Sequence, residues 1–161
     1  MADAETFEEI AKWNHWFAVE CNNRAWSLAD MPARSAEEDA EMLHSAHAAA
    51  LHWSAVGTEL NHARAAMLLG HVYALLGDRT RGLEYARTAF DYVMSHESPA
   101  WEIAMAHAVL ANGASAAGDR ALHTAHHMQA TALAAALEDP EDRSIVEATL
   151  RTFPRPDVEA P

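Results

Sequence analysis

The segment Leu75-Leu-Gly-Asp-Arg79 recurs in altered form as Ala116-Ala-Gly-Asp-Arg120, forty-one residues further along the chain. In both copies a Gly-Asp pair, which suits a tight turn, separates two long segments with helical apolar spacing. A single pair of helices joined in this way cannot bury its apolar face alone, so such units stack on their neighbours. The repeat therefore predicts stacked antiparallel helical hairpins, with Gly77 and Gly118 in equivalent turns.

The amino-acid composition favours helix throughout. Alanine supplies 37 of the 161 residues, and it is the residue that costs least in a helix. A chain of this length is enough for one domain with a core of its own, or for two very small domains. We therefore predict an all-α protein.

Turn and capping residues divide the chain into seven predicted helices. Thr6 with Glu9 and Ser35 with Glu38 have the spacing of capping boxes. Ser98-Pro99 and Asp139-Pro140 place an N-cap residue before a proline at the first helical position. The predicted helices cover about 6–29, 35–56, 58–76, 80–95, 98–118, 120–137 and 139–153. Residues 1–153 are predicted to form one helical-repeat domain, and residues 154–161, with three prolines, a flexible tail.

The residues around the first Gly-Asp turn resemble a known repeat. Leu69-Gly70-His-Val-Tyr73 fits the Leu-Gly-x-x-Tyr element of a tetratricopeptide repeat, and Gly82 and Ala89 supply small side chains in the second helix. Residues 61–94 resemble this family well, residues 99–137 more loosely, and residues 7–57 weakly. The resemblance implies three antiparallel hairpins stacked as a short right-handed array, with a C-terminal capping helix.

The same resemblance implies a non-catalytic module that binds a protein or peptide on its concave face. Of the residues that would line this groove, we expect Trp26, Met67 and His71 to lie partly exposed on one surface. Arg64 and Asn112 are expected near its rim. The full set of predicted groove residues is Asn22, Trp26, Arg64, Met67, His71, Met105 and Asn112.

Eleven histidines raise an alternative, a helical bundle that binds a metal or small cofactor. The candidate ligands are His44 with His47, and His123 with His126 and His127. Two Glu-x-x-His pairs, Glu41/His44 and Glu59/His62, resemble half of a di-iron site, but their predicted axial offset is roughly 15 Å. The competing interpretation is that these histidines pair with nearby carboxylates, and our first hypothesis includes no cofactor and no metal.

The first helix carries two apolar stripes. Ile10, Trp13, Phe17, Cys21 and Leu28 form one, and Trp16, Val19 and Trp26 form another about 150° away. Both stripes are buried if the hairpin partner and the next repeat cover them. Alternatively, the second stripe lines the groove. A third hypothesis for the whole chain is a self-associating structural protein.

The charge balance narrows the class of partner. Asp and Glu outnumber Lys and Arg by 24 to 11, which gives a net charge of −13 and disfavours nucleic acids and anionic membranes. The start of the chain is acidic and has no signal-peptide pattern, so we expect a cytoplasmic protein. The excess of alanine and of arginine over lysine suggests a bacterial source. No catalytic motif with usable spacing occurs, so we do not expect an enzyme.

Overall fold

The computed structural model describes residues 4–157, and these form seven α-helices and no β-strand. The prediction of an all-α protein is confirmed. None of these seven helices is both long enough and apolar enough to cross a membrane. The helices are α1 (Ala4–Ala29), α2 (Ala36–Val56), α3 (Glu59–Leu75), α4 (Arg79–Ser95), α5 (Ala100–Ala117), α6 (Arg120–Ala136) and α7 (Pro140–Leu150).

Helices that follow each other in the chain pack together, and a second set of contacts joins the odd-numbered helices. Helix α1 packs on α2, α3 on α4 and α5 on α6, while α1 touches α3, α3 touches α5 and α5 touches α7. The odd-numbered helices therefore form one layer. Helices α3 and α5 are central, with eleven buried residues each, and they are apolar on nearly every side, as a helix enclosed by neighbours must be.

The two Gly-Asp turns have the same geometry. Gly77 and Gly118 adopt left-handed φ angles of +78° and +80°. In each turn the amide of the following aspartate donates to the carbonyl five residues earlier, at 2.9 Å in both copies. Asp78 and Asp119 then each accept a backbone N–H three residues ahead and cap the next helix. The prediction that these glycines lie in equivalent turns is confirmed.

Local capping explains most helix starts. Ser35 and Glu38 form both bonds of the predicted capping box, and Asp139 caps α7 ahead of its proline. Two predicted caps are wrong. Thr6 lies inside α1, which already begins at Ala4. Ser98 precedes the N-cap of α5, which is Pro99, because the Ser98 hydroxyl donates to the Val93 carbonyl of the preceding helix instead.

The seventh helix is shorter than predicted. It ends at Leu150 rather than at Phe153, and the turn that follows places Phe153 against the rings of His123 and His127. The predicted domain, 1–153, and the predicted tail, 154–161, both extend into residues outside the described range.

Small residues let α3 and α4 approach each other closely. A Cβ atom at Gly70 would lie 2.6 Å from the backbone nitrogen of Ala86, and one at Gly82 would lie 2.9 Å from that of Ala74. Any larger residue at Gly70 or Gly82 would therefore push the helix backbones apart. In the third hairpin the position equivalent to Gly82 is His123, whose Nδ1 bonds to the Ala111 carbonyl at 2.9 Å. The buried imidazole is thus paired.

Candidate functional site

A cavity of about 410 Å³ opens where α1, α3, α5 and α7 meet. Five of the seven predicted groove residues line it, namely Asn22, Trp26, Arg64, Met67 and Met105. They come from three different helices, and the odd-numbered layer brings them together because their faces point to the same side. The remaining lining residues are Asp30, Trp101, Glu102, Ile145 and Thr149.

The walls of the cavity are mainly apolar. Met67 and Met105 form its floor and are each only 3% exposed, whereas Ile145 of α7 lies at the mouth and is 45% exposed. Trp26 and Trp101 are both partly buried and belong to the surroundings of the larger core cluster. The partly exposed Trp26, Trp101 and Ile145 side chains give a surface that gains free energy when an apolar group covers it.

A charged pair forms the polar part of the cavity. Arg64 Nε donates to Glu102 Oε1 at 2.6 Å, and the guanidinium carbon lies 5.6 Å from the centre of the Trp101 ring. The Arg64 side chain is 42% exposed, while that of Glu102 is 1% exposed. The carboxylate is therefore held inside by its partner, while the Arg64 side chain remains partly exposed in the cavity wall.

His71 and Asn112 lie beneath this surface rather than on it. His71 is fully buried and Asn112 is 3% exposed. The Asn112 amide donates to His71 Nδ1 at 3.0 Å, so the ring proton is on Nε2, which lies 3.4 Å from the Thr152 hydroxyl. Burial lowers the pKa of His71 to about 3, and the positive charge of Arg34 adds to the effect.

The predicted exposure of the groove residues is therefore correct for Trp26 and Arg64 and wrong for Met67, His71 and Asn112. These residues are buried because other parts of the fold cover them. The Trp26 ring stacks on the His71 ring at 5.4 Å, and the turn after α7 reaches His71 through Thr152. Trp26 is thus both a wall of the cavity and part of the support beneath it.

Sequence reasoning missed five of the lining residues, namely Asp30, Trp101, Glu102, Ile145 and Thr149. Glu102 precedes Met105 by three residues and Trp101 precedes it by four, so extending the predicted stripe one turn back along α5 would have found both. Ile145 and Thr149 share one face of α7 at i,i+4 spacing. The sequence contains no signal that α7 folds over α5.

A second cavity, of about 550 Å³, adjoins the first. It lies between the α1–α2 turn and the end of α7, and Asp30 lines both cavities. The open surface therefore continues past the first cavity along the α1 edge of the molecule.

The three histidines of the predicted cluster His123, His126 and His127 contact two different groups of residues. His126 turns to His107 of α5, with the two Nδ1 atoms 2.9 Å apart and both rings against Phe90. His123 and His127 instead lie near Phe153. Within residues 4–157, no group of three or more His, Cys, Asp or Glu side chains is arranged to hold a metal ion.

One residue of each of the other predicted pairs also has a protein partner. His47 Nε2 bonds to the Tyr73 hydroxyl at 2.7 Å, and His62 Nε2 bonds to the Trp53 carbonyl at 3.0 Å. Glu41 accepts from Arg24 at 2.6 Å. The partners of His47, His123 and His126 are a phenol, a backbone carbonyl and a second imidazole, so the interpretation that the clustered histidines pair with carboxylates is wrong for these three.

The two apolar stripes of α1 each contain both buried or partly buried residues and exposed residues. Leu28 is buried, but Ile10, Trp13 and Phe17 of the same stripe are between 41% and 54% exposed. Trp26 of the second stripe lines the cavity, whereas Trp16 is 49% exposed and lies outside it. The two stripes are therefore not both buried, and the second stripe does not line the cavity along its whole length.

No family model, curated protein or solved structure matches the chain. The resemblance to tetratricopeptide repeats depends on the Leu69–Tyr73 element, the small residues of α4 and the two equivalent turns. The function has to be argued from the cavity itself.

Proposed function

We propose that the chain is a short tetratricopeptide-like array that binds a protein segment in the cavity between α1, α3, α5 and α7. In this proposal α1 to α6 form three stacked hairpins and α7 is the capping helix. The observation that carries the proposal is the position of Trp26, Trp101, Met67 and Met105 around one opening. Aromatic side chains and methionine are enriched at protein interfaces, where they provide most of the binding free energy.

The chemistry of the walls defines the segment that would fit. A cavity of about 410 Å³ admits one large apolar side chain with its neighbours. The guanidinium of Arg64 and the Asn22 amide supply donors that would orient the backbone of the segment. The adjoining cavity past Asp30 gives room for the chain to continue.

The test is a selection of random peptides displayed on phage against the folded protein, followed by affinity measurements with synthetic peptides. We expect the selected peptides to share one large apolar residue, and to bind Ile145→Glu at least about tenfold more weakly because a charge then stands at the mouth. Ile145 is an apt site because its exposure of 45% makes the substitution tolerable for folding.

The matched control is Met128→Glu, which adds the same charge at a residue of α6 that is 63% exposed and outside the cavity. Peptides that bind both variants equally would refute the proposed site. Stoichiometric metal in untagged protein purified from its source would instead favour a cofactor-binding protein.

A further inference from the structure

Thr149 of α7 lines the cavity and carries a hydroxyl that makes no hydrogen bond with any group within residues 4–157. The residue is only 1% exposed, so this hydroxyl is withdrawn from bulk water. The Thr152 hydroxyl donates to the Thr149 carbonyl at 2.7 Å and leaves the Thr149 hydroxyl unused. Because buried hydroxyls in native proteins are nearly always paired, this one indicates a place for a polar atom of a ligand.

Other threonines of the helices satisfy their hydroxyls within their own helix. The hydroxyls of Thr88 and Thr124 each donate to the carbonyl four residues earlier, at 3.0 and 2.8 Å. Within residues 4–157, the unpaired polar side-chain atoms that solvent does not reach are His127 Nε2 and Arg143 Nε. The Thr149 hydroxyl is not one of these, so the small accessible part of Thr149 includes its hydroxyl and opens into the cavity.

The charges of the cavity favour a ligand group that is polar but neutral. Glu102 is 1% exposed and already accepts from Arg64 at 2.6 Å. Asp30 lies at the exposed end of the lining, where the positive charge of Arg151 acts on it. A charged ligand group beside Thr149 would therefore lose its hydration without gaining an unpaired opposite charge, whereas a neutral hydroxyl loses far less.

The apolar walls favour an aromatic ring. Trp26 and Trp101 contribute indole rings, and the buried Met67 and Met105 contribute thioethers. Aromatic rings interact favourably with other rings and with thioether sulfur, beyond the effect of the area that they bury. Trp26 is held in place because its ring stacks on that of the buried His71 at 5.4 Å, so this wall needs little reorganisation on binding.

We propose that the cavity selects a tyrosine side chain, with its ring against Trp26 and Trp101 and its hydroxyl hydrogen-bonded to the hydroxyl of Thr149. This inference rests on the proposed function and names the anchor residue of the bound segment. A phenol both donates and accepts, so it can pair with a threonine hydroxyl in either direction. Phenylalanine would leave the Thr149 hydroxyl buried without a partner, and an aliphatic side chain would lose the contacts between rings.

Two small probes test the selection without a peptide. The probes para-cresol and toluene correspond to the side chains of tyrosine and phenylalanine and differ by one hydroxyl. In protein labelled with carbon-13 at the methionine methyl groups, Met67 and Met105 report binding in the cavity. Met94 and Met128, which are exposed outside the cavity, report non-specific contact. We expect the Kd of para-cresol, followed by nuclear magnetic resonance, to be at least about tenfold lower than that of toluene. A cavity without a polar partner would prefer toluene, because burying an unpaired hydroxyl is unfavourable.

Substitutions at Thr149 test which group gives the preference. Thr149→Val should reduce the preference for para-cresol to about twofold or less, whereas Thr149→Ser keeps the hydroxyl and should retain it. Thr88→Val is the matched control, because Thr88 is exposed on α4 and outside the cavity, and it should bind both probes like the wild type. Circular dichroism would show that the three variants are folded.

Several results would overturn the inference. They are equal affinities for the two probes, tighter binding of toluene, a preference that survives Thr149→Val, and the failure of both probes to shift Met67 and Met105. The proposed function is tested separately by Ile145→Glu. Selected peptides that have an aliphatic anchor and bind Ile145→Glu weakly would support the proposed function and refute the tyrosine anchor.

Discussion

Asn112 of α5 donates its side-chain amide both to the ring of His71 of α3, at 3.0 Å, and to the backbone carbonyl of the same residue, at 3.3 Å. The two residues are forty-one positions apart, which is the spacing of the repeat, so they are equivalent residues of successive hairpins. Both are buried. Equivalent positions in neighbouring hairpins therefore hold each other in place across the α3–α5 contact.

Loss of this amide should destabilise the fold. Asn112→Ala leaves a buried ring nitrogen and a buried carbonyl without this donor, and we expect the free energy of unfolding to fall by about 2 kcal/mol. Urea denaturation measures it. Asn23→Ala, at an exposed asparagine of α1, should cost less than about 0.5 kcal/mol. Equal losses in the two variants would show that the Asn112–His71 bond does not matter.

Acid should destabilise the protein in a defined range. Burial lowers the pKa of His71 from 6.5 to about 3, and burial together with the charge of His126 lowers that of His107 to about 4. In this range the unfolded chain binds protons that the folded chain does not. The contribution of these two neutral imidazoles to the free energy of unfolding is therefore fully present above about pH 6.5 and falls as the pH drops towards 4. For the fully buried His71 the slope is up to about 1.4 kcal/mol per pH unit.

Thermal melts at several pH values across this range measure the effect. His107→Gln should make the dependence on pH shallower, whereas His44→Gln, at an exposed residue of α2, should leave it close to that of the wild type. A melting temperature that stays constant from pH 7 to 4.5 would contradict the burial of these neutral imidazoles.

The two equivalent turns should respond equally to substitution. Gly77→Ala and Gly118→Ala each force a Cβ into a left-handed conformation with no contact within 4 Å, so we expect about 1–2 kcal/mol of destabilisation in both. Gly70→Ala is different in kind. Its Cβ would meet the α4 backbone at 2.6 Å, and the cost of overpacking should exceed the gain in helix propensity, for a net loss of about 2–3 kcal/mol. Chemical denaturation of the three variants measures these losses in the free energy of unfolding. A Gly118→Ala chain that is less stable than Gly70→Ala would contradict the expected order.

Substitutions of Arg64 and Glu102 should have non-additive effects on the free energy of unfolding. Arg64→Met leaves the buried Glu102 carboxylate uncompensated, which should cost about 2–3 kcal/mol. Changing both residues to methionine removes the charge together with its partner, and stability should return to within about 1 kcal/mol of the wild type. The double-mutant cycle is measured by denaturation at neutral pH. A double variant as unstable as Arg64→Met alone would mean that packing, and not charge, accounts for the loss.

The features that were predictable from the sequence are those with local causes. The Ser35–Glu38 box, Asp139 and the two Gly-Asp turns carry their reasons within a few residues, and the structure has all of them. The convergence of Asn22, Arg64 and Met105 on one cavity was predictable in part because helical spacing determines which side chains share a face.

The features that were not predictable depend on where distant elements end. His71 is buried because Thr152 and Trp26 cover it, and neither contact is visible in the neighbouring sequence. Trp16 is 49% exposed because none of the helices within residues 4–157 covers that side of α1, and the apolar spacing of α1 gives no indication of this. The helical periodicity shows which residues share a face, but not which faces another helix reaches.

The cavity joins residues of the first helix to residues of the seventh. Trp26 is on one side of it and Ile145 and Thr149 on another, while Thr152 contacts His71 eighty-one positions away. As the ribosome makes the chain from α1 onwards, successive hairpins can dock in order, but the enclosure waits for α7 to emerge. A nascent chain interrupted within α6 would thus lack Ile145 and Thr149, so the cavity is complete only once synthesis has passed α7.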